Sequence, residues 1–169
     1  SGAVDRLPVD GVFPVSSSLD HVGYFTQDLP GARLAAGVLY PDWRAEAEPQ
    51  PLDTIGVVDG PYLSQADTTG KEHFQDHVNT LESAGYDIRR VDFFPDIESI
   101  NERHERLMAA EMALAHSGLY QEYEDEYADE TAALIEAGRT HDVGSVCDWR
   151  GSREELRTRI HETMDEQGL

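Results

Sequence analysis

One cysteine among 169 residues leaves no partner for an internal disulfide. It is Cys147, and a lone thiol with no base nearby reads as a small inert side chain suited to a reducing compartment. Lysine is as scarce, with Lys71 the single example, so arginine supplies the other basic positions. Basic residues of either kind number 13 against 34 Asp and Glu, a formal net charge of −21. Such a field repels nucleic acid and anionic membranes, which excludes both as partners. No apolar run approaches the ~20 residues of a membrane span. Residues 1–11 have no basic-then-apolar leader pattern. These absences predict a soluble, cytoplasmic chain.

The acids are spread along the whole length rather than gathered in a tail, so they coat a folded surface. That composition fits a protein kept soluble in concentrated salt, and it equally fits an acidic protein from a GC-rich genome. At 169 residues the chain has one domain's worth of material, able to bury roughly 70% of its unfolded surface. Neither end of the sequence shows the polar linker expected at a domain boundary.

Residues 1–25 read as loop and short strand, with Val12, Phe13 and Val15 around Pro14 confined to an edge. "TQDLPGARLAAGVLY" reads as a helix capped by Asp28, with Pro30 in its first turn and Leu34, Val38 and Leu39 as its apolar side. A proline-rich loop leads to the strand "TIGVV" at 54–58. A helix follows, capped by Thr68 or Thr69 with Glu72 completing a capping box. Its stripe is Phe74, His77, Val78, Leu81 and Ala84, and Gly85 stops it. "YDIRRVDFF" is the next strand. Strand, helix and strand in roughly 40 residues is the order of a crossover joining parallel strands.

After Pro95 the sequence is helical. Ile97, Ile100, His104, Leu107, Met108, Glu111 and Ala115 line one face of a long helix that Gly118 ends or bends. An acidic segment in two helical pieces and a final helix with Leu156, Ile160 and Met164 complete the chain. The fold class is α/β: a partial mixed sheet with flanking helices and a helix-rich C-terminal half. Residues 1–169 form a single partial domain, with a strand/helix part (1–95) and a helical part (96–169).

Ser16, Ser17 and Ser18 run into Leu19, Asp20 and His21, a concentration of hydroxyls, carboxylate and imidazole. A serine nucleophile needs a base within hydrogen-bond reach and oxyanion donors, and no G-x-S-x-G turn is present. Asp20 and His21 are neighbours that point opposite ways in extended chain. The plain reading is a turn fixed by side-chain bonds to local backbone. His73 and His77 share a helix face at the spacing of a metal pair, but Phe74 stands where the HExxH pattern needs Glu, and no third ligand is indicated. No metal and no cofactor follow from the sequence. Lys71, in the first turn of a helix beside acids, reads as solvated. Glu111 is a carboxylate on an apolar stripe, with His116 just over a turn later, so it is either hydrogen-bonded in the interior or part of a pocket wall. Tyr120, Tyr123 and Tyr127 are helix surface or a pocket rim.

"GVFPVSSSLDHVGYFTQDLPGARLAAGVL" resembles the amidase signature family, whose segment of this form follows the catalytic serine region. The matching positions are Pro14, Ser16, Ser18, Leu19, Asp20, Gly23, Thr26 and Asp28. "TIGVV", "KEHFQDHVNTLESAGYDIRRVDF", "MAAEMALAHSGLY" and "LIEAGR" resemble later elements of the same family, so the likeness covers essentially the whole sequence. The family hydrolyses carboxamides with a Ser, cis-Ser, Lys triad. The lysine turn and the Gly-Ser-rich stretch that carry the triad lie upstream of this segment and are not among these residues.

The resemblance therefore implies the middle-to-C-terminal part of an amidase, with a small-molecule amide as the substrate of the complete enzyme. It implies no catalytic residue in this chain and no activity of the chain alone. Ser18 and Asp20 would brace the backbone beside the catalytic loop. Glu111, His116 and Tyr120 would border the substrate pocket. The missing amidase segments, or another subunit, would be the partner. The alternative is a non-catalytic acidic α/β module that binds another protein.

Overall fold

The computed structural model describes residues 9, 11–40, 42–44, 52 and 54–169. Among them are seven α-helices and two strands, in the order α1 (Leu29–Leu39), β1 (Thr54–Val58), α2 (Pro61–Ser64), α3 (Thr68–Ser83), β2 (Asp87–Val91), α4 (Ile97–Ala115), α5 (Ser117–Tyr123), α6 (Asp129–Arg139) and α7 (Val143–Gln167). A 3-10 turn over Glu124–Glu126 follows α5. Two compact units form, each from two stretches of chain: Ser1–Pro49 with Arg106–His141, and Gln50–Glu105 with Asp142–Leu169. No helix among the described residues is long and apolar enough to cross a membrane.

The Gln50–Glu105 and Asp142–Leu169 unit is built on the crossover. β1 and β2 pair in parallel, from Thr54 opposite Asp87 to Val58 opposite Val91. The expected mixed sheet is, among the described residues, this parallel pair alone. Val57, Val91 and Val78 are buried in this unit, with Phe93 and Ile97. α3 is capped not by Thr68 or Thr69 but one residue earlier. The Asp67 carboxylate accepts from Gly70 N at 2.6 Å, and a carboxylate reaches an orphan N–H at least as well as a hydroxyl. At the other end Ala84 closes the helix and Gly85 takes φ +98°, a left-handed backbone that favours glycine. His77 lies outside the buried stripe, exposed, with Nδ1 2.7 Å from the His73 carbonyl. Leu156, Ile160 and Met164 on α7 are half-buried. The Leu169 side chain lies over Gly56, where no Cβ intervenes.

The Ser1–Pro49 and Arg106–His141 unit is helical apart from the loop ahead of α1. Its core joins Met112, Ala113, Tyr120 and Ile135, with Tyr127, Ala132 and Leu134 packed against them. Gly138 of α6 lies so near α4 that an added Cβ would stand 1.9 Å from the Ala109 carbonyl oxygen. The long helix ends at Ala115, three residues before Gly118. His116 takes a bridge-region backbone (φ −94°, ψ 1°) between α4 and α5, and Gly118 continues α5. On α4, Leu107 and Glu111 are buried as expected, while His104 and Ala115 are exposed. No strand forms around Pro14, and Val12, Phe13 and Val15 are exposed in loop.

α1 begins as its sequence predicts. Asp28 accepts from Gly31 N at 2.7 Å, and Pro30 stands in the first turn, where its missing N–H costs nothing. Its sidedness is the reverse of expectation. Ala36 is the buried residue, and Leu34, Val38 and Leu39 are exposed.

Candidate functional site

The serine run folds into a tight turn. Ser16 O accepts from Leu19 N at 3.0 Å and from Asp20 N at 2.8 Å. The Asp20 side chain reaches back, its Oδ2 accepting from Val15 N at 2.8 Å and Ser16 N at 3.0 Å. Such Asp-to-backbone bonds give a chain with no strand neighbour partners for its amides. His21 Nδ1 lies 2.6 Å from the Leu19 carbonyl, so the imidazole caps the turn locally and is directed at no serine.

Glu111 meets this turn from α4. Leu107 and Glu111, four residues apart, share the helix face turned into the interior. Glu111 is almost wholly buried, and its Oε2 accepts from Ser16 Oγ at 2.5 Å and from Ser18 N at 2.9 Å. A carboxylate out of water needs such donors, and hydrogen bonds to it are the short, strong kind. Ser16 is itself buried. A hydroxyl 2.5 Å from a carboxylate resembles a nucleophile with its base, but no carbonyl from solvent reaches a buried Oγ, so the bond holds the turn.

His116 holds the loop that enters the turn. Its Nε2 lies 2.8 Å from the Pro14 carbonyl and its Nδ1 2.8 Å from the Tyr127 hydroxyl. A carbonyl only accepts, so in the neutral ring Nε2 carries the proton and Nδ1 accepts from the tyrosine. Phe13 meets the imidazole edge-on at 4.6 Å between ring centres. Tyr120 extends the cluster. It is buried, packs edge-to-face on Tyr127 at 5.2 Å, and carries the Arg139 guanidinium over its ring at 5.0 Å. Burial, then the nearby Glu124 and Glu136 carboxylates, push its phenol above the usual tyrosine range.

All five residues singled out in the sequence, Ser18, Asp20, Glu111, His116 and Tyr120, thus belong to one connected region of this unit. Two participants were less visible. Ser16, not Ser18, gives its hydroxyl to Glu111, and only its place in the Pro-x-Ser-x-Ser-Leu-Asp pattern marks it. Tyr127 ties His116 to Tyr120, and its helical spacing from Tyr123 suggested only a surface or a rim. Beside the cluster, Phe13, Leu119, Tyr123, Glu126, Tyr127, Ala128 and Thr131 line an open groove of 370 Å³. Among the described residues no three His, Cys, Asp or Glu side chains group to hold a metal ion, and exposed His73 and His77 stand without a third ligand.

No family model matches the chain, and no curated protein matches it. A solved structure does: a crystal structure of an amidase superposes with a TM-score of 0.81 at 21% sequence identity. The match covers 95% of this chain and 36% of that one, so the chain spans little more than a third of the amidase's length. The fold of this chain is the fold found in part of an amidase.

Proposed function

We propose that this chain is the middle-to-C-terminal part of an amidase-type hydrolase, which splits a carboxamide C–N bond with water. The observation that carries the reading is the fold shared with an amidase over 95% of the chain, joined to a Pro-x-Ser-x-Ser-Leu-Asp segment pinned in place by Glu111. In this reading the nucleophile, its cis-serine neighbour and the lysine base lie outside these 169 residues, and this chain supplies the wall beside them. Asp20 ties down the amides of Val15 and Ser16. Glu111 takes the Ser16 hydroxyl and the Ser18 amide, and His116 holds the Pro14 carbonyl. These are positioning residues: a turn fixed at three points keeps whatever adjoins it in a single geometry, and geometry fixed before the reaction lowers the barrier. Tyr120 packs behind His116 through Tyr127 and borders the same region.

The chain by itself is then inert. The test is to isolate it from its source cells by a tag on the encoded protein, together with whatever it is joined to, and to measure ammonia release from a panel of aliphatic and aryl carboxamides. The isolated material hydrolyses at least one of them, and the purified 169-residue chain hydrolyses none. Isolated material without amidase activity would favour the acidic interaction module. Turnover by the chain alone that Ser16→Ala or Ser18→Ala abolishes would overturn the placement of the nucleophile.

A further inference from the structure

α1 is built inside out for a surface helix. Its alanine side is the covered one: Ala36 is 1% exposed and Ala32 and Ala35 are half-buried. Its large apolar residues face outward, with Leu34 at 74%, Val38 at 79% and Leu29 at 80% exposed, and Phe25 just ahead of the helix is exposed in full. Pro30, Leu34 and Val38, spaced by four, form one stripe. Contiguous apolar surface of this kind marks a contact site. The charge pattern agrees. The chain carries 34 acidic residues, yet none lies within Leu29–Leu39, whose lone charge is Arg33. A helix face meant for water in this protein would be expected to carry acid.

A second copy fits this face poorly, because it would bring a further −21 of charge to the same contact. The shared fold points elsewhere: the chain accounts for 36% of an amidase, so most of that fold has no counterpart in these residues. We propose that the Pro30–Leu34–Val38 face is the seat of the rest of an amidase-type fold, packed directly on the outward stripe of α1. The inference rests on the functional reading above and adds to it the surface through which the parts join.

The test places a photo-reactive benzoylphenylalanine at Leu34, and separately at Val143, whose exposed side chain on α7 serves as the control. The tagged proteins are irradiated in source cells and the linked peptides sequenced. Leu34 links to a peptide from outside residues 1–169 that belongs to an amidase-type sequence with a Ser, Ser, Lys core, and Val143 does not. With the probe kept at Leu34, Val38→Glu lowers the yield of this link several-fold while the circular dichroism spectrum is retained, since the Val38 side chain is already in water. Links from Leu34 to a second copy, to an unrelated protein or to nothing would overturn the proposal. If the isolated material hydrolyses carboxamides while Leu34 links elsewhere, the face is wrong and the functional reading stands. If it shows no hydrolysis and no amidase-type peptide, both fail.

Discussion

The two compact units hold their backbone in place by different means. In the unit built on β1 and β2, a parallel ladder and an intervening helix satisfy the main chain, and the charged side chains sit outside. Arg159 and Asp96, its two-point ion pair, are 42% and 40% exposed. In the other unit the chain from Pro14 to Asp20 has no ladder. Buried or local side chains do the holding, from Asp20, Glu111 and His116, and two of the three come from residues about a hundred positions away. Where the ladder carries the fold, a single side chain is dispensable. Where side chains replace the ladder, each one leaves an unsatisfied group when removed.

That contrast breaks first at Glu111. Replacing it with alanine strands the Ser16 hydroxyl and the Ser18 amide and opens a buried space, at a cost of about 2–4 kcal/mol in urea unfolding. A loss under ~0.5 kcal/mol would remove the distinction between the units. Gly138→Ala comes next. Alanine is the better helix former by up to ~1 kcal/mol, but a Cβ 1.9 Å from the Ala109 carbonyl forces the backbones apart, so the variant is destabilised by about 1–3 kcal/mol. Gly118→Ala, with open space around its Cβ, gains a few tenths of a kcal/mol instead. Tyr127→Phe keeps the ring packing and deletes the hydrogen bond to His116, costing about 1 kcal/mol by thermal melting.

A small effect falls in the ladder-held unit. Hydrogen bonds from Arg159 hold the Asp96 carboxyl below the usual carboxylate range, partly opposed by desolvation. A carboxyl with a lowered folded pKa stabilises the fold above its unfolded value, near ~3.9, and loses that contribution as pH falls through the lower folded value. Solvent screening at this exposure keeps it under ~1 kcal/mol. Asp96→Asn therefore lowers Tm slightly at neutral pH, leaves it unchanged below the folded pKa, and so flattens the acid limb of a Tm-against-pH curve.

The same contrast governs what the sequence could reveal. The crossover was legible because its signals are local: an apolar pentad at 54–58, a helical stripe around Val78, a glycine at 85. Boundaries slipped by a residue or two where several residues could serve, as with Asp67 before two threonines and His116 before Gly118. The serine turn was legible as a pattern and Glu111 as a misplaced carboxylate. The bond between them spans 95 residues, and no spacing announces it. Periodicity identifies two sides of a helix without saying which is covered, and α1 is covered on its alanine side. An alanine side can pack closer than a leucine side, and the leucines then face whatever else is there.

The most direct measurement is amide hydrogen exchange at Ser18, in the chain and in its Glu111→Ala variant. The Ser18 amide is expected to be strongly protected in the chain and to exchange at the free-loop rate in the variant, with Val78 in α3 protected in both. A Ser18 amide that exchanges freely while Glu111 is present would contradict the claim that this carboxylate holds the serine turn.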